Sequence, residues 1–174
     1  MAAAVLTAAL TVTVAGCADS RDYAVPDELC GVAVDADTLA PFLPDGSKLG
    51  RRTYDQGPES PRCEVTVDKK RVLYISGDVV TPDVDPFEVK RRSLESMGHP
   101  AQAGPPLGAA ARIADDGALA VKACTYKGQA RKFVVLVDLV PDEPVPGDVE
   151  KRRAALDAFL RSYLPHALDH QGCA

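Results

Sequence analysis

Apolar residues recur at helical spacing in three segments of the chain. Residues 148–164 give the clearest pattern, because one stripe of this segment is apolar and the opposite side is charged. The stripe consists of Val149, Leu156, Phe159, Leu160, Tyr163 and Leu164. Residues 35–43 and 85–97 form the other two segments: a Pro-Asp-Gly step ends the first, and an Asp-Pro step begins the second. The pattern therefore predicts three helices.

Six further segments have the alternation or the apolar content of β-strands. They are residues 49–55, 62–68, 72–76, 109–114, 118–126 and 132–140. Phe133 to Val137 is continuously apolar, which predicts a central strand that is covered on both faces. The predicted order is helix, three strands, helix, three strands, helix. Neighbouring strands in this order can pair as antiparallel hairpins. Such hairpins packed against about three helices make an α+β domain with antiparallel sheet.

An apolar run precedes all of these elements. It extends from Met1 to Val14 and leads into Val14-Ala15-Gly16-Cys17. The run is shorter than the roughly 20 apolar residues that span a bilayer, and it has the length of an export signal. The alternative is that residues 1–16 form a helix or strand buried in the domain. The four residues ending in Cys17 resemble the lipobox of bacterial lipoproteins, in which the cysteine receives a diacylglyceryl thioether.

This resemblance divides the chain into three parts. It implies a lipoprotein signal peptide over residues 1–16, a lipidated tether over residues 17–29 that starts at the acylated Cys17, and a single α+β domain over residues 30–174. The length of 174 residues fits one domain with a real core. The net charge of -5 argues against a nucleic-acid-binding protein, since such proteins usually present a basic face.

Four cysteines remain when Cys17 is set aside. They are Cys30, Cys63, Cys124 and Cys173. An even number in an exported chain predicts two disulfides, and four cysteines allow three pairings. We favour Cys30–Cys63 with Cys124–Cys173, because each pair then brackets a helix and strands in its own half of the chain. A zinc site is the alternative, with His166 and His170 near Cys173, but no closely spaced cysteine pair favours it.

Other polar residues have structural interpretations. Asp35 and Asp85 each precede a predicted helix, where capping explains a carboxylate better than metal binding does. Asp138 interrupts an apolar strand, and we expect it to emerge into solvent at the strand end; the alternative is a buried carboxylate with a functional role. We expect solvated faces for the basic clusters, which are Arg51-Arg52, Lys69-Lys70-Arg71, Lys90-Arg91-Arg92 and Lys151-Arg152-Arg153. Motifs for a catalytic nucleophile, a phosphate loop or a metalloprotease are not found in the sequence.

Several features resemble small secreted lipoproteins of actinobacteria. They are the run Glu28-Leu29-Cys30-Gly31, the short helix ending at Leu43, the run Cys63-Glu64-Val65, and the last helix with Tyr163-Leu164 and a terminal Gly172-Cys173. Some of those domains are similar to extracellular sensor domains of receptor kinases. The resemblance covers residues 28–173 and implies a PsbP-like α/β sandwich. It transfers no binding residue to this chain, because no binding motif is matched.

The sequence thus predicts a protein held by lipid on the outer face of the cell membrane. We expect a module that binds a ligand or a partner, with membrane lipid contacted through the Cys17 anchor and an envelope protein or a small ligand bound by the domain. The alternative is a structural or assembly protein of the envelope. An enzyme is a weaker third hypothesis. We expect no catalytic residue, cofactor, metal or nucleic acid.

Overall fold

The computed structural model describes residues 21–54, 56–140 and 144–174. These ranges form an α+β structure with the following strands: β1 (Glu28–Leu29), β2 (Val32–Ala33), β3 (Leu49–Tyr54), β4 (Arg62–Val67), β5 (Lys70–Val80), β6 (Ala101–Gln102), β7 (Ala111–Ile113), β8 (Gly117–Tyr126) and β9 (Gln129–Leu139). The helices are α1 (Ala36–Leu39), α2 (Pro86–Val89), α3 (Arg91–Ser96) and α4 (Val149–Gln171). Short 3₁₀ turns follow α1 at Ala40–Phe42 and precede β7 at Gly108–Ala110.

Seven strands form one antiparallel sheet in the order β3-β4-β5-β9-β8-β7-β6, and β1 pairs with β2 in a separate hairpin. The apolar run from Phe133 to Val137 lies in β9, near the middle of the sheet between β5 and β8. All five of its residues are buried. The prediction of a central strand covered on both faces is confirmed.

The two faces of β9 belong to different clusters, because successive side chains of a strand point to opposite sides. Phe133, Val135 and Val137 belong to the main core, which also contains the buried side of α4. Val134 and Leu136 belong to a smaller cluster on the opposite face. This cluster is completed by Leu94 and Met97 from α3 and its end, and by Ala114 and Leu119. The sheet therefore has a large core on one side and a small core on the other.

The element order differs from the predicted one in three places. The hairpin β1-β2 precedes α1, the two-residue strand β6 is added before β7, and the second helix is divided into α2 and α3. Lys90 causes the division, because its backbone angles of φ -95° and ψ 8° lie outside the helical range. Strands of two residues contain no alternation, so the pattern of the sequence could not predict them.

Residues 21–29 are packed on the domain, although the sequence predicts that they form part of a tether. Arg21 bridges Gly46 in parallel, and the Asp22 backbone N–H donates to the Gly46 carbonyl at 2.9 Å. The Tyr23 hydroxyl donates to the Pro44 carbonyl, and Leu29 is fully buried. The folded part of the chain therefore includes residues that precede Cys30. Residues 1–20 lie outside the described residues.

Helix α4 continues beyond Leu164, where the sequence predicts its end. Pro165 lacks a backbone N–H and removes one helical hydrogen bond, yet the helix extends through it to Gln171. The following turn buries Ala167 against the core. Gly172 then ends the helix in a left-handed conformation, and the Gly172 and Cys173 N–H groups donate to the carbonyls of the last turn.

Burial confirms five positions of the predicted stripe on this helix. These are Leu156, Phe159, Leu160, Tyr163 and Leu164. The prediction for Val149 is wrong, since this residue is 42 % exposed at the first turn. In the ranges that the structure describes, no helix combines the length and the apolar character needed to cross a membrane.

Candidate functional site

The four cysteines of the domain form the two disulfides that the sequence favours. Cys30 bonds to Cys63, which attaches the β1-β2 hairpin to β4, with Cα atoms 5.8 Å apart. Cys124 bonds to Cys173, which attaches the end of α4 to β8, with Cα atoms 5.3 Å apart. The predicted pairing is therefore confirmed. Cys17, the predicted acylation site, lies outside the described residues.

Three aspartates cap helices. Asp35 caps α1, and Asp85 caps α2 by accepting hydrogen bonds from the Phe87 and Glu88 N–H groups at 3.0 and 3.4 Å. Asp148 caps α4 in the same way through the Lys151 N–H. Such a cap satisfies backbone donors that have no partner inside the helix. The structural interpretation of Asp35 and Asp85 is confirmed.

The histidines near the C-terminus do not form a metal site with Cys173, because that cysteine is in a disulfide. His166 and His170 are both exposed on α4. His170 lies over the β1-β2 turn, where a Cβ atom on Gly31 would come within 2.8 Å of its ring. The described residues contain no group of three or more His, Cys, Asp or Glu side chains placed to hold a metal ion.

Asp138 is half-buried near the end of β9, so it emerges into solvent only in part. Desolvation by the surrounding protein raises the pKa of its carboxyl, the positive charge of Arg71 opposes that shift, and the negative charge of Asp116 adds to it. Arg152, which pairs with Asp116, also differs from its predicted exposure. It is 4 % exposed, although the sequence places it in a solvated basic cluster.

Arg152 is buried because acceptors surround its guanidinium at the start of α4. Its Nε donates to the Asp115 carbonyl at 2.7 Å, and its Nη1 donates to the Pro146 carbonyl at 2.6 Å. Its Nη2 lies 2.8 Å from Oδ1 of Asp116. The acceptors at Asp115 and Asp116 come from a loop distant in sequence, so a local pattern of basic residues could not reveal them. We infer a structural role for Arg152.

The next residue of the same cluster, Arg153, joins a second ionic group. Its Nη1 lies 2.8 Å from Oδ1 of Asp115, and Nδ1 of His99 lies 2.6 Å from Oδ2 of the same carboxylate. The contact with His99, followed by that with Arg153, lowers the pKa of Asp115. His99 itself has a left-handed backbone with φ 39°. This group connects the end of α3 to α4.

Two concave regions are described on the protein surface. The first, which we call the α4 cleft, lies between the Cys30–Cys63 disulfide, the sheet, and the last turns of α4 with Tyr163 and His170. Its volume is about 40 Å³. Since one water molecule needs roughly 10–15 Å³, the cleft holds only a few waters. Burial raises the pKa of Tyr163, so its hydroxyl stays protonated.

The second concave region, which we call the β5–α2 groove, is larger and lies on the opposite face of the sheet. Its volume is about 220 Å³. It is lined by Ser60, Asp78, Val79, Val80, Val84, Pro86, Val89, Lys90 and Val134. A closed cavity of about 150 Å³ already accommodates benzene. The groove therefore has room for a small organic molecule or a side chain of a partner.

One end of the groove is polar. The Asp78 carboxylate receives a hydrogen bond from Nη2 of Arg62 at 2.7 Å and from Oγ of Ser60 at 3.1 Å, both on Oδ1. Nζ of Lys90 lies 3.6 Å from Oδ2. The remaining lining is mostly valine, and Val89 is 68 % exposed. The groove thus combines an apolar wall with a fixed ionic group.

Comparison of the chain with models of protein families, with curated proteins and with solved structures finds no match. The assignment of a site therefore depends on the geometry of this chain. The β5–α2 groove is the candidate functional site, since ligand sites are generally concave and mostly apolar with a few placed polar groups.

The pattern of the sequence does not predict the groove. Its lining comes from the end of β5, the segment leading into α2, α2 itself, and β9. One signal is present in the sequence: Val89 is an apolar residue between Glu88 and the basic run from Lys90 to Arg92. That signal does not show which other residues lie nearby, because the contacts between β5, β9 and α2 are tertiary.

Proposed function

We propose that this chain is an exported bacterial lipoprotein whose domain binds a ligand or a partner outside the cytoplasm. In this proposal Cys17 carries the lipid, and membrane lipid anchors the protein to the outer face of the cell membrane. The folded domain contributes the binding site at the β5–α2 groove. The proposed kinship with secreted actinobacterial lipoproteins and sensor domains belongs to the same hypothesis.

The pattern of cysteine use is the observation that carries the proposal. The chain has five cysteines, and two disulfides account for four of them. The fifth, Cys17, stands directly after the apolar leader and small residues. Disulfides persist in oxidising compartments and are rare in the cytosol. The disulfides are therefore compatible with an extracytoplasmic location, and the lipobox sequence favours it.

Binding is favoured over catalysis by the way in which the charged groups are used. Asp78 is held by Arg62 and Ser60, while Asp115 is held by His99 and Arg153. Their contacts fix neighbouring segments of the fold, which is the ordinary role of a structural ion pair. The groove supplies volume and apolar surface, which are the properties of a binding site.

A structural or assembly role in the envelope is the second candidate function. It is favoured by the exposure of Val89, since an exposed apolar side chain on the rim of a groove is also suited to a partner protein. Crosslinking in cells distinguishes the two roles. A stable protein partner captured at position 89 supports assembly, whereas a small-molecule ligand predicts that no protein is captured there.

The anchor is tested by the substitution Cys17→Ala in the full chain. The wild-type chain should incorporate a labelled fatty acid and fractionate with membranes, because two or more acyl chains give stable anchoring. The variant should incorporate no label and should either leave the membrane or retain its leader. Cys124→Ala in the same assay is the matched control and should retain the label. Equal labelling of the wild type and the Cys17 variant would contradict the proposal.

A further inference from the structure

The polar end of the β5–α2 groove contains Asp78 and Lys90, and Arg62, which does not itself line the groove, pairs with Asp78. Arg62 and Asp78 are a close pair, with 2.7 Å between Nη2 and Oδ1, and their side chains are only 11 % and 18 % exposed. Lys90 is farther away, at 3.6 Å from the other carboxylate oxygen, and is 28 % exposed. Because Arg62 already balances the charge of Asp78, the Lys90 ammonium is left with a positive charge facing the groove.

The body of the groove is apolar beside this ammonium. Asp78 is opposite Val134 across the β5-β9 ladder, and Val80 follows on the same face two residues later. Val84 and Pro86 lead the chain into α2, and both also line the groove. An occupant therefore meets valine and proline side chains along its length and a cation at one end.

We propose that the β5–α2 groove binds an amphipathic monoanion, with its apolar body against the valines and its carboxylate beside Lys90. This inference deepens the proposed binding function and rests on it. Lys90 is the one cation among the described lining residues, which favours a singly charged group. Lys132 lies beside the groove, where its Nζ donates to the Val84 carbonyl at 2.7 Å. A cationic occupant is disfavoured, because the available charge is positive and the only carboxylate is already paired with Arg62 and Ser60.

The test is a titration of the full chain, monitored by NMR through the chemical shifts of labelled valine methyl groups. The chain carries Cys17→Ala and is made in an oxidising cytoplasm, so that it is not acylated and its disulfides form. Hexanoate is the probe, and 1-hexanol and hexylammonium are probes with the same chain and a different charge. Hexanoate should shift Val80, Val84 and Val89 saturably. It should bind about 1.5- to 5-fold more tightly than hexanol, the range expected for one exposed ion pair.

The variant Lys90→Met removes the charge and keeps the apolar stem of the side chain. It should lower the affinity for hexanoate to that for hexanol and leave the affinity for hexanol unchanged. Lys122→Met is the matched control, because Lys122 is exposed and pairs in register with Phe133, on the face opposite to the groove. It should change neither affinity. Added salt gives a measurement without a variant: it should weaken binding of hexanoate and not of hexanol.

Three results would overturn the inference. The first is the absence of saturable shifts at the groove with hexanoate. The second is equal affinity for the three probes, which would leave the Lys90 charge without a role. The third is a shift of the groove methyl groups with protein concentration alone, which would identify a second copy of the chain as the occupant. None of these results affects the labelling assay on Cys17, so failure of this inference and failure of lipid anchoring are distinguishable.

Discussion

The two faces of the seven-stranded sheet are closed in different ways. On one face, the 23-residue helix α4 packs over the main core, and the disulfide from Cys124 fixes its end. On the other face, α2 and α3 have four and six residues and cover only part of the sheet. The β5–α2 groove lies on this second face. A fold whose main core lies on one face can leave the other face incompletely filled and available for binding.

This difference between the two faces predicts that the same core substitution lowers the free energy of unfolding by different amounts on each face. Leu160 of α4 is 0 % exposed and Leu94 of α3 is 4 % exposed. We expect Leu160→Ala to lower the free energy of unfolding by about 4–5 kcal/mol and Leu94→Ala by about 2–3 kcal/mol. The small cluster around Leu94 can relax more readily into the space left by the substitution.

Urea denaturation of both variants, with unchanged m-values, measures this difference. Val89→Ala is the control for the second face, because its exposed side chain should contribute less than about 0.5 kcal/mol. A cost for Leu94→Ala equal to that for Leu160→Ala would show that both faces support the fold to the same extent.

Helix caps provide a second and smaller contrast. Asp148 caps the long helix α4 and Asp85 caps the single turn of α2. Loss of a cap costs about 0.5–2 kcal/mol. We expect the cost of Asp148→Ala to lie near the upper end of this range and that of Asp85→Ala near the lower end, because α2 can fray without global unfolding.

Hydrogen exchange locates the effect of each cap substitution. Asp85→Ala should speed exchange at the Val89 and Lys90 N–H groups, which bond to carbonyls at the start of α2, and leave α4 protected. If Asp85→Ala sped exchange throughout the sheet, α2 would be part of the cooperative core, and the contrast between the faces would fail.

The smallest effects concern two carboxylates whose pKa values are shifted in opposite directions. The pKa of Asp115 is lowered by His99 and then by Arg153, so its charged form stabilises the fold. That stabilisation is present above the unfolded pKa of about 3.9 and is lost as the pH falls through the folded pKa. Asp115→Asn should therefore lower stability at pH 7 and have a diminishing effect in acid.

Asp138 has a pKa raised by burial, so its charged form destabilises the fold. The penalty is present above the folded pKa and decreases as the pH falls through it towards the unfolded value. Asp138→Asn should raise the melting temperature at pH 7 and have less effect near pH 4. Melting curves of both variants between pH 3 and pH 7 measure whether each substitution raises or lowers the melting temperature. A change in the same direction for both variants would contradict the opposite pKa shifts of the two carboxylates.

The sequence predicts the main core well because burial there follows local periodicity. The apolar run in β9 is central, five of the six positions in the stripe on α4 are buried, and the favoured disulfides form. Prediction from the sequence fails where the burial of a side chain is determined by segments distant in the chain. Arg152 lies in a run of basic residues that is typical of a solvated surface, yet the Asp115 carbonyl and the Asp116 carboxylate, far away in the sequence, help to bury it.

The sequence by itself determined the α+β class, the central strand, the helix caps and the even set of cysteines in the domain. These depend on spacing and on residue chemistry along a continuous segment. Only the tertiary structure decided that α4 continues through Pro165, that residues 21–29 join the domain and that a groove remains beside α2. Each of these depends on packing between segments far apart in the chain, where the burial of apolar surface outweighs the local preference of the backbone.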